Sequence, residues 1–332
     1  MTSRQSLKVL LLMSLTFFLI ACSSWRSQIN SSSQWHLAQS ITSSPCRLVD
    51  HALGKACVPE TPKRLATLST TDLVSALALG VKPIATVFYS SPSDVPAYLK
   101  DKLDQIQVLG TRDQPSIERV IELKPDLLLG MSYSAEPIYP LISRIAPTVV
   151  YEWKGTSSWR DHFNFVAQAL GKTTEATQVW AQYQQRIQAL KAALKMNTTG
   201  NRPLKVSVFH ICCGMLHIDV KNSFNGSILD DVGFQRPASQ NVPIEGGVEF
   251  ISEELLPEVI DADVLFIPTD PQDRDSKRKL SELMQSPLWQ QLEVVKQGKV
   301  YLVDYHVWRG ANLFAANGVI DDLFRYLVHS ST

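Results

Sequence analysis

The stretch that decides the fold is residues 116–130, which read SIERVIELKPDLLLG. Ser116 is a favourable helix N-cap, a short helix follows it, and Pro125 ends that helix. The remaining residues form a brief apolar run, typical of a strand that is buried on both faces. Residues 252–268, SEELLPEVIDADVLFIP, repeat this order of cap, helix and apolar strand. The two stretches predict two lobes of similar build.

The alternation of strand and helix extends outward from residue 116. In the first half, the pattern predicts strands at 64–68, 83–87, 126–130 and 148–151, with helices at about 70–79, 117–123 and 138–145. Apolar strands without strict alternation, separated by short helices, indicate a parallel α/β sheet covered on both faces.

A long helix interrupts this alternation. Trp159–Leu170 reads as one helix, Gly171 breaks it, and Thr173–Lys195 reads as a second. The second helix has one apolar stripe at three- and four-residue spacing, formed by Ala176, Trp180, Tyr183, Ile187, Leu190 and Leu194. At 1.5 Å per residue it would span about 34 Å, roughly the width of a small domain. We interpret it as a connecting element, although a surface helix of one large domain would show the same stripe.

Strands and helices alternate again after the long helix. Strands are predicted at 204–209, 215–220, 263–268 and 299–303, and helices at 227–232, 253–259, 279–284, 288–292 and 313–328. The fold class is therefore α/β, with two Rossmann-like lobes joined by one long α-helix. The boundaries we expect are an N-terminal lobe at 45–158, a helical linker at 159–198 and a C-terminal lobe at 199–332.

The first residues indicate export. Residues 1–21 have a basic start and an apolar centre too short to span a bilayer, as in a secretory signal peptide. The ending Leu19-Ile20-Ala21-Cys22 resembles a bacterial lipobox, in which Cys22 would be acylated; an ordinary cleaved signal is the alternative. Residues 22–44 are rich in Ser, Gln and Asn and read as a flexible tether. We expect a bacterial protein anchored by lipid to the outer, periplasmic face of the cytoplasmic membrane.

The composition limits the classes of partner that we expect the protein to bind. Of 332 residues, 45% are hydrophobic, and 32 Lys and Arg balance 32 Asp and Glu, so nothing suggests a nucleic acid partner. Cys46 and Cys57 lie on either side of a turn at residues 52–55, which predicts a β-hairpin closed by a disulfide between them. Cys212 and Cys213 are adjacent and are either free and buried or joined in a strained bridge.

Catalytic motifs are missing from the sequence. It contains no Gly-rich phosphate loop, nucleophile elbow or HExxH, and we expect no cofactor. His210 and His217 lie on either side of the Cys212-Cys213 pair, but their spacing matches no zinc pattern, and no metal site is predicted. An exported enzyme or a metal carrier that uses these residues with His306 is the competing interpretation.

The motifs together resemble the substrate-binding lipoproteins of bacterial ABC importers, in particular the ferric-siderophore group, which also includes the vitamin B12 binder. The resemblance covers about residues 45–332 and is most specific in segments 62–65, 79–83, 117–129 and 286–304. It implies two lobes that close slightly over a ligand without catalysing a reaction. The implied ligand is ferric iron carried as a siderophore complex, with cobalamin or haem as alternatives on the same scaffold. The implied partner is an ABC permease with its ATPase subunits, and a monomer is expected.

The resemblance to the ferric-hydroxamate binder of this group also assigns ligand contacts. Arg112, Tyr133 and Trp308 stand in the matching motifs. Because the siderophore's own oxygens occupy the iron, the protein need not ligate it. An arginine can hydrogen-bond those anionic oxygens with a fork of donors, and aromatic rings can pack on the apolar body. All three residues follow strands, where open α/β sheets bind ligands.

One residue departs from that binder. Arg309 stands at a position where the ferric-hydroxamate binder has an aromatic residue. The cleft would then contain two arginines, which favours a more anionic, citrate-based siderophore. Pairing of Arg309 with a carboxylate of the protein is the alternative. Tyr89, Tyr151 and Trp153 are candidate cleft walls, with core packing as the alternative for each.

Two glutamates are expected to contact the permease. In the resembling family each lobe presents one glutamate to arginines of the permease, and by position these are Glu118 and Glu254. Acidic residues at helix N-termini also stabilise the helix dipole, by about 0.3–1 kcal/mol, so both roles are open.

Overall fold

The computed structural model describes residues 45–89, 95–197 and 202–328. The predicted signal peptide, the tether and Cys22 lie outside these residues.

The described chain begins with a hairpin. Strands β1 (Cys46–His51) and β2 (Gly54–Pro59) pair antiparallel, with Leu48 opposite Cys57. A disulfide joins Cys46 to Cys57, with the two Cα atoms 5.5 Å apart. The hairpin packs on the last strand of the first sheet.

The first sheet has five parallel strands in the order β5-β4-β3-β6-β7. Their bounds are β3 Leu65–Thr67, β4 Ala85–Phe88, β5 Gln107–Thr111, β6 Leu127–Met131 and β7 Thr148–Tyr151. This is the order of a doubly wound sheet, in which connections to opposite sides leave a crevice at the carboxyl ends of β3 and β6. The predicted parallel α/β lobe is therefore present; we call it the N-terminal lobe.

Short helices connect these strands. The α-helices are α1 Thr70–Ala78, α2 Ile117–Leu123, α3 Ser132–Ala135 and α4 Tyr139–Ile142. Short 3-10 helices span Ala97–Lys102, Glu136–Ile138 and Thr156–Ser158. Ser69 and Ser116 cap α1 and α2 by accepting a hydrogen bond from a backbone N–H of the first turn.

Two helices follow the first sheet in the chain and precede the second sheet. Helix α5 (Trp159–Leu170) ends at Gly171, whose φ of 67° is left-handed, and α6 (Thr173–Asn197) follows directly. The predicted apolar stripe of α6 is confirmed: its members are buried except Trp180, which is partly buried against them. One hydrophobic core runs from the hairpin through these helices to the last helix of the chain.

The second sheet is mixed, with the order β10-β9-β8-β11-β12. Its strands are β8 Val206–Cys212, β9 Met215–Asp219, β10 Val248–Ile251, β11 Val264–Thr269 and β12 Val300–Asp304. Strand β9 runs antiparallel to both neighbours, because a two-residue turn returns the chain directly from β8. The similarity of the two lobes is therefore limited to the parallel strands β8, β11 and β12. We call this part the C-terminal lobe.

The helices of the C-terminal lobe cover both faces of its sheet. They are α7 Phe224–Val232, α8 Leu256–Val259, α9 Arg274–Gln285, α10 Pro287–Gln291, α11 Glu293–Lys296, α12 Tyr305–Trp308 and α13 Leu313–Leu327. Short 3-10 helices span Ala238–Gln240 and Glu253–Leu255. No helix in the described part of the chain has both the length and the apolar character needed to cross a membrane.

Direct contacts join the two lobes in addition to α6. The Tyr98 hydroxyl accepts a hydrogen bond from Asn312 Nδ2 at 3.1 Å, and Trp159 Nε1 donates to Ser227 Oγ at 3.0 Å. Thr156 Oγ1 donates to the Gly246 carbonyl at 3.1 Å. These bonds connect segments that are far apart in sequence and hold the lobes together outside the long helix.

Candidate functional site

The carboxyl ends of β4, β5 and β6 bring a cluster of polar and aromatic side chains together. Tyr89 follows β4, Arg112 follows β5, and Tyr133 lies in the first turn after β6. Open α/β sheets bind ligands at the carboxyl ends of their strands, near the point where the strand order reverses. Backbone bonds position these residues: the Arg112 N–H donates to the Phe88 carbonyl at 2.7 Å.

Arg112 is the centre of this group. Its guanidinium lies 4.4 Å from the centre of the Tyr89 ring and 5.7 Å from that of Tyr133. Its Nε donates to Asp113 Oδ1 at 2.9 Å. We call Tyr89, Arg112, Asp113 and Tyr133 the arginine–tyrosine cluster. Aromatic faces attract a cation, so the two rings hold the guanidinium in place with part of its donor fork turned to solvent.

The cluster combines one ion pair with a neutral phenol. Arg112 hydrogen-bonds to both oxygens of Asp113, which raises the pKa of the guanidinium and lowers that of the carboxyl, so both groups are charged. Partial burial raises the pKa of Tyr133 to about 12, so its hydroxyl is neutral and able to donate at neutral pH. As whole residues, Tyr89 is 65% exposed and Tyr133 is 48% exposed. The cluster offers two accessible aromatic residues and an arginine whose partner, Asp113, is exposed.

Tyr151 and Trp153 lie beside the cluster but pack inward. Both rings contact the buried His162 edge-on, at centroid distances of 5.1 Å and 5.9 Å. His162 Nε2 in turn lies 2.8 Å from Asp72 Oδ1, and both side chains are buried. Tyr151 and Trp153 therefore pack on this buried pair, as the core-packing alternative requires.

Arg309 in the C-terminal lobe is paired with a protein carboxylate. Its Nη1 donates to Asp219 Oδ1 at 2.8 Å, and its side chain is 15% exposed while that of Asp219 is 1% exposed. Asn225 Nδ2 donates to the other oxygen of Asp219 at 2.7 Å. Burial raises the pKa of Asp219, and the Arg309 charge opposes that rise. Arg309 is thus paired with a carboxylate of the protein, as one of the two alternatives required. Its charge is not free to favour a more anionic ligand.

Trp308 corrects a sequence-based expectation. Its side chain is fully buried, stacks on Phe266 at 4.6 Å between ring centroids, and donates from Nε1 to Asp322 Oδ2 at 2.9 Å. The short helix α12 turns this ring toward the core of the C-terminal lobe. In this structure Trp308 belongs to the hydrophobic core and has no surface to offer a ligand.

The histidines near the cysteine pair stack on each other across the β8–β9 hairpin. His210 and His217 face each other on β8 and β9 with their rings stacked at 4.9 Å. Burial lowers the pKa of both, and the positive charge of Arg309 adds to that effect. Among the described residues, no group of three or more His, Cys, Asp or Glu side chains converges as a metal site would require.

The two candidate docking glutamates have matching local geometry. Each is exposed and stands two residues after a serine, and Glu118 accepts a hydrogen bond from Ser116 Oγ at 3.0 Å. The pKa of Glu118 is lowered by its own backbone N–H and then by Ser116, and that of Glu254 by Ser252 and then by its own backbone N–H. Both side chains are charged and face solvent.

The sequence pattern of the family described as "Periplasmic binding protein" matches residues 65–306. The chain belongs to this family of binding proteins. Its members are substrate-binding proteins and not enzymes, so the family assignment made from the sequence is confirmed.

Related proteins share most of the length of this binding protein. The "Probable siderophore-binding lipoprotein YfiY" of Bacillus subtilis is 33% identical over 320 residues, covering 93% of this chain and 94% of the relative. The "Achromobactin-binding periplasmic protein" of Dickeya dadantii is 29% identical over 269 residues, covering 80% and 86%. Staphylococcus aureus SirA, solved in complex with staphyloferrin B, matches with a TM-score of 0.73 and 27% identity, covering 85% of this chain and 98% of SirA. The two-lobed α/β fold is thus shared with a siderophore-binding protein.

Some residues of the site were not anticipated from the sequence. Asp113, which pairs with Arg112, and Asp219, which neutralises Arg309, had not been singled out. Period-2 alternation along β9 places Asp219 on the same face as His217, a signal that could have marked it as an inward-facing carboxylate.

Proposed function

We propose that this protein is the extracytoplasmic substrate-binding component of an ABC importer, and that it captures a ferric siderophore at the carboxyl ends of its strands. The observation that carries this is the arginine–tyrosine cluster. A ferric siderophore presents anionic oxygens around a metal that is already fully ligated. Arg112 can donate to such oxygens in a fork, while Tyr89 and Tyr133 pack on the organic body.

The class of siderophore is proposed from the relatives together with the cluster. Relatives are named for achromobactin and for Fe(3+)-citrate, and SirA was solved with staphyloferrin B. Arg112 is paired with the exposed Asp113 and Arg309 with the buried Asp219, so Arg112 is the arginine that can exchange its carboxylate partner for an anionic group of a ligand. We therefore propose a ligand with at least one anionic group within reach of Arg112, with ferric citrate-type siderophores as the first class to test.

Delivery and anchoring complete the proposal. Glu118 and Glu254 would contact the permease of an importer driven by ATPase subunits, with the binding protein acting as a monomer. An acyl group on Cys22 would hold it on the outer face of the cytoplasmic membrane, since a relative of similar length is named a lipoprotein. One exposed glutamate from each lobe, Glu118 and Glu254, would fit a partner that engages both lobes at once.

The test is a tryptophan-fluorescence titration of the exported protein. Ferric citrate, citrate-hydroxamate, trishydroxamate and catecholate siderophores are compared with their iron-free forms, and haem, cobalamin and Zn²⁺ serve as controls. We expect saturable quenching by one class of ferric siderophore and at least tenfold weaker binding of its iron-free form. Saturation by haem, cobalamin or Zn²⁺ alone would overturn the proposed ligand.

A further inference from the structure

The turn between β8 and β9 carries two thiols at the ligand-binding end of the C-terminal lobe. Cys212 pairs with Met215 across the hairpin, so Cys213 and Gly214 form a two-residue turn. Their φ angles are 57° and 75°, which is the geometry of a type I′ turn. A positive φ is uncommon for a residue with a Cβ atom, and Asn is the usual choice here. This turn instead holds a cysteine beside another cysteine.

The two sulfur atoms are already close. Their Sγ atoms are 3.2 Å apart, and neither takes part in a disulfide. Cys213 is exposed, whereas Cys212 is partly buried. Burial and the Cys213 contact raise the pKa of the Cys212 thiol, which keeps it protonated at neutral pH. An oxidant in solution therefore meets the Cys213 sulfur first.

Cys212 lies near Tyr305, which is in turn linked to Arg309. The Cys212 thiol and the Arg309 guanidinium both act on the pKa of the Tyr305 hydroxyl, which burial raises, and the Arg309 backbone N–H donates to the Tyr305 carbonyl at 2.8 Å. Arg309 is held by Asp219, and Asn225 joins Asp219 to the carbonyl oxygen of Trp308. A chemical change at Cys212 therefore alters the surroundings of Tyr305, whose backbone is bonded to that of Arg309.

We propose that Cys212 and Cys213 form a reversible vicinal disulfide, and that its formation changes ligand affinity through Tyr305 and Arg309. The oxidant is a small disulfide of the exported compartment, a setting in which disulfides form and persist. The Cys213 thiolate attacks it, forming a mixed disulfide and releasing one thiolate. Cys212 then loses its proton and attacks the Cys213 sulfur, closing the ring and releasing the second thiolate. In total, two protein thiols lose two electrons and two protons, and the oxidant becomes two thiols.

Chain geometry makes this bond reversible. Consecutive Cα atoms lie about 3.8 Å apart, whereas the usual disulfide spans roughly 4.4–6.8 Å between Cα atoms. A bond forced into that shorter span is strained, and strained disulfides are reduced more readily than structural ones. The Cys46–Cys57 bond, with its Cα atoms 5.5 Å apart, falls within the usual range and should persist under the same mild reductant.

The first test follows the bond itself and needs no ligand. The exported protein is treated with oxidised or reduced glutathione, its free thiols are alkylated, and the peptide containing residues 212 and 213 is analysed by mass spectrometry. We expect an unalkylated peptide, lighter by two hydrogens, after oxidation, and two alkylated cysteines after mild reduction. In Cys212→Ser, Cys213 should instead retain the glutathione half. Alkylation of both thiols after oxidation would overturn the proposal.

The second test measures the coupling, which rests on the proposed function. Ferric-siderophore affinity is compared between oxidised and reduced protein, with Cys212→Ser/Cys213→Ser as the matched control. We expect at least a threefold difference that the double variant abolishes. Equal affinities in protein whose bond has been verified would overturn the coupling. Failure of any ferric siderophore to bind either state would overturn the proposed function instead, while the peptide result would still decide the bond.

Discussion

Tyr133 illustrates how one side chain can serve a ligand in two ways. Its ring contacts the Arg112 guanidinium, and its neutral hydroxyl is available as a donor. Removing the hydroxyl or the whole ring should therefore have different consequences.

We expect Tyr133→Phe to weaken ferric-siderophore binding by about three- to tenfold, the equivalent of one neutral hydrogen bond. Tyr133→Ala should weaken it further, by about tenfold more, because the ring and its hold on Arg112 are also lost. Isothermal titration calorimetry measures both variants, with thermal melting as the folding control. Equal affinities for Tyr133→Phe and Tyr133→Ala would show that the ring contributes nothing.

Arg309 and Asp219 form a pair whose role is structural in our interpretation. We expect Arg309→Met to lower the free energy of unfolding by about 3 kcal/mol, because it leaves the buried Asp219 without its cation. The double variant Arg309→Met/Asp219→Asn should recover much of that loss, since no unpaired charge remains. Urea denaturation measures both. A stable Arg309→Met protein that has lost ligand affinity would instead place Arg309 on the ligand.

For single residues, the sequence predicts where a side chain lies in the fold better than it predicts which way the side chain points. The fold brings together Arg112 and Tyr133, which the motifs had placed on the ligand, and their contact with a ligand stays a prediction. The motif around Trp308 gave its place in the chain but not the direction of its ring, which depends on Phe266 and Asp322. Contacts with residues distant in sequence decide such orientations, and no local pattern encodes them.

The Cys46–Cys57 hairpin is an element whose stability depends on a covalent bond. It consists of two short strands, and isolated hairpins are marginally stable. We expect Cys46→Ala/Cys57→Ala to lower the free energy of unfolding by about 3 kcal/mol, as closure of a loop of this size predicts.

Thermal melting with and without strong reductant provides the comparison. The melting temperature of the wild type should fall on reduction toward that of the double variant, which should not respond. A double variant that melts at the wild-type temperature would contradict a stabilising role for the hairpin bond.

Elements with strong local patterns were predictable, and weakly apolar strands were not. The long helix α6 was recognised because its apolar stripe repeats over many turns. The edge strands β7 and β12 were predicted, whereas the edge strands β5 and β10 were missed. Strands β5 and β10 are mostly exposed or half-buried, so their own residues give little apolar signal and their pairing depends on the neighbouring strand.

For the molecule as a whole, the exposed glutamates of the two lobes are expected to act after ligand capture. Glu118→Gln and Glu254→Gln remove charges that touch no element of the arginine–tyrosine cluster. We expect each variant to keep its ligand affinity within about twofold, since surface changes of this kind contribute little. Iron uptake into cells should fall at least fivefold for each and further for the pair.

Glu122→Gln and Glu258→Gln are matched controls, because both are exposed glutamates further along the same segments. Their uptake should equal that of the wild type. Normal uptake by the Glu118→Gln/Glu254→Gln double variant would contradict the docking assignment without affecting the ligand site.

The two-lobed architecture followed from the sequence, but the contacts that join the lobes did not. The hydrogen bond between Asn312 and Tyr98 links residues separated by 214 positions. The sequence around either residue does not predict its contact with the other. Burial raises the pKa of Tyr98 to about 12, which reflects its enclosure between the lobes. Such contacts arise only when both lobes are folded.

The most direct test of the central claim is the affinity of Arg112 variants for the ferric siderophore that saturates the wild type. Arg112→Gln should weaken binding by about 10- to 100-fold, the equivalent of one or two charge-assisted hydrogen bonds. Arg112→Lys should recover only part of the loss, because a lysine has no donor fork. Arg119→Gln, an exposed arginine on α2, is the control and should bind normally. Wild-type affinity in Arg112→Gln would contradict the claim that the arginine–tyrosine cluster holds the ligand.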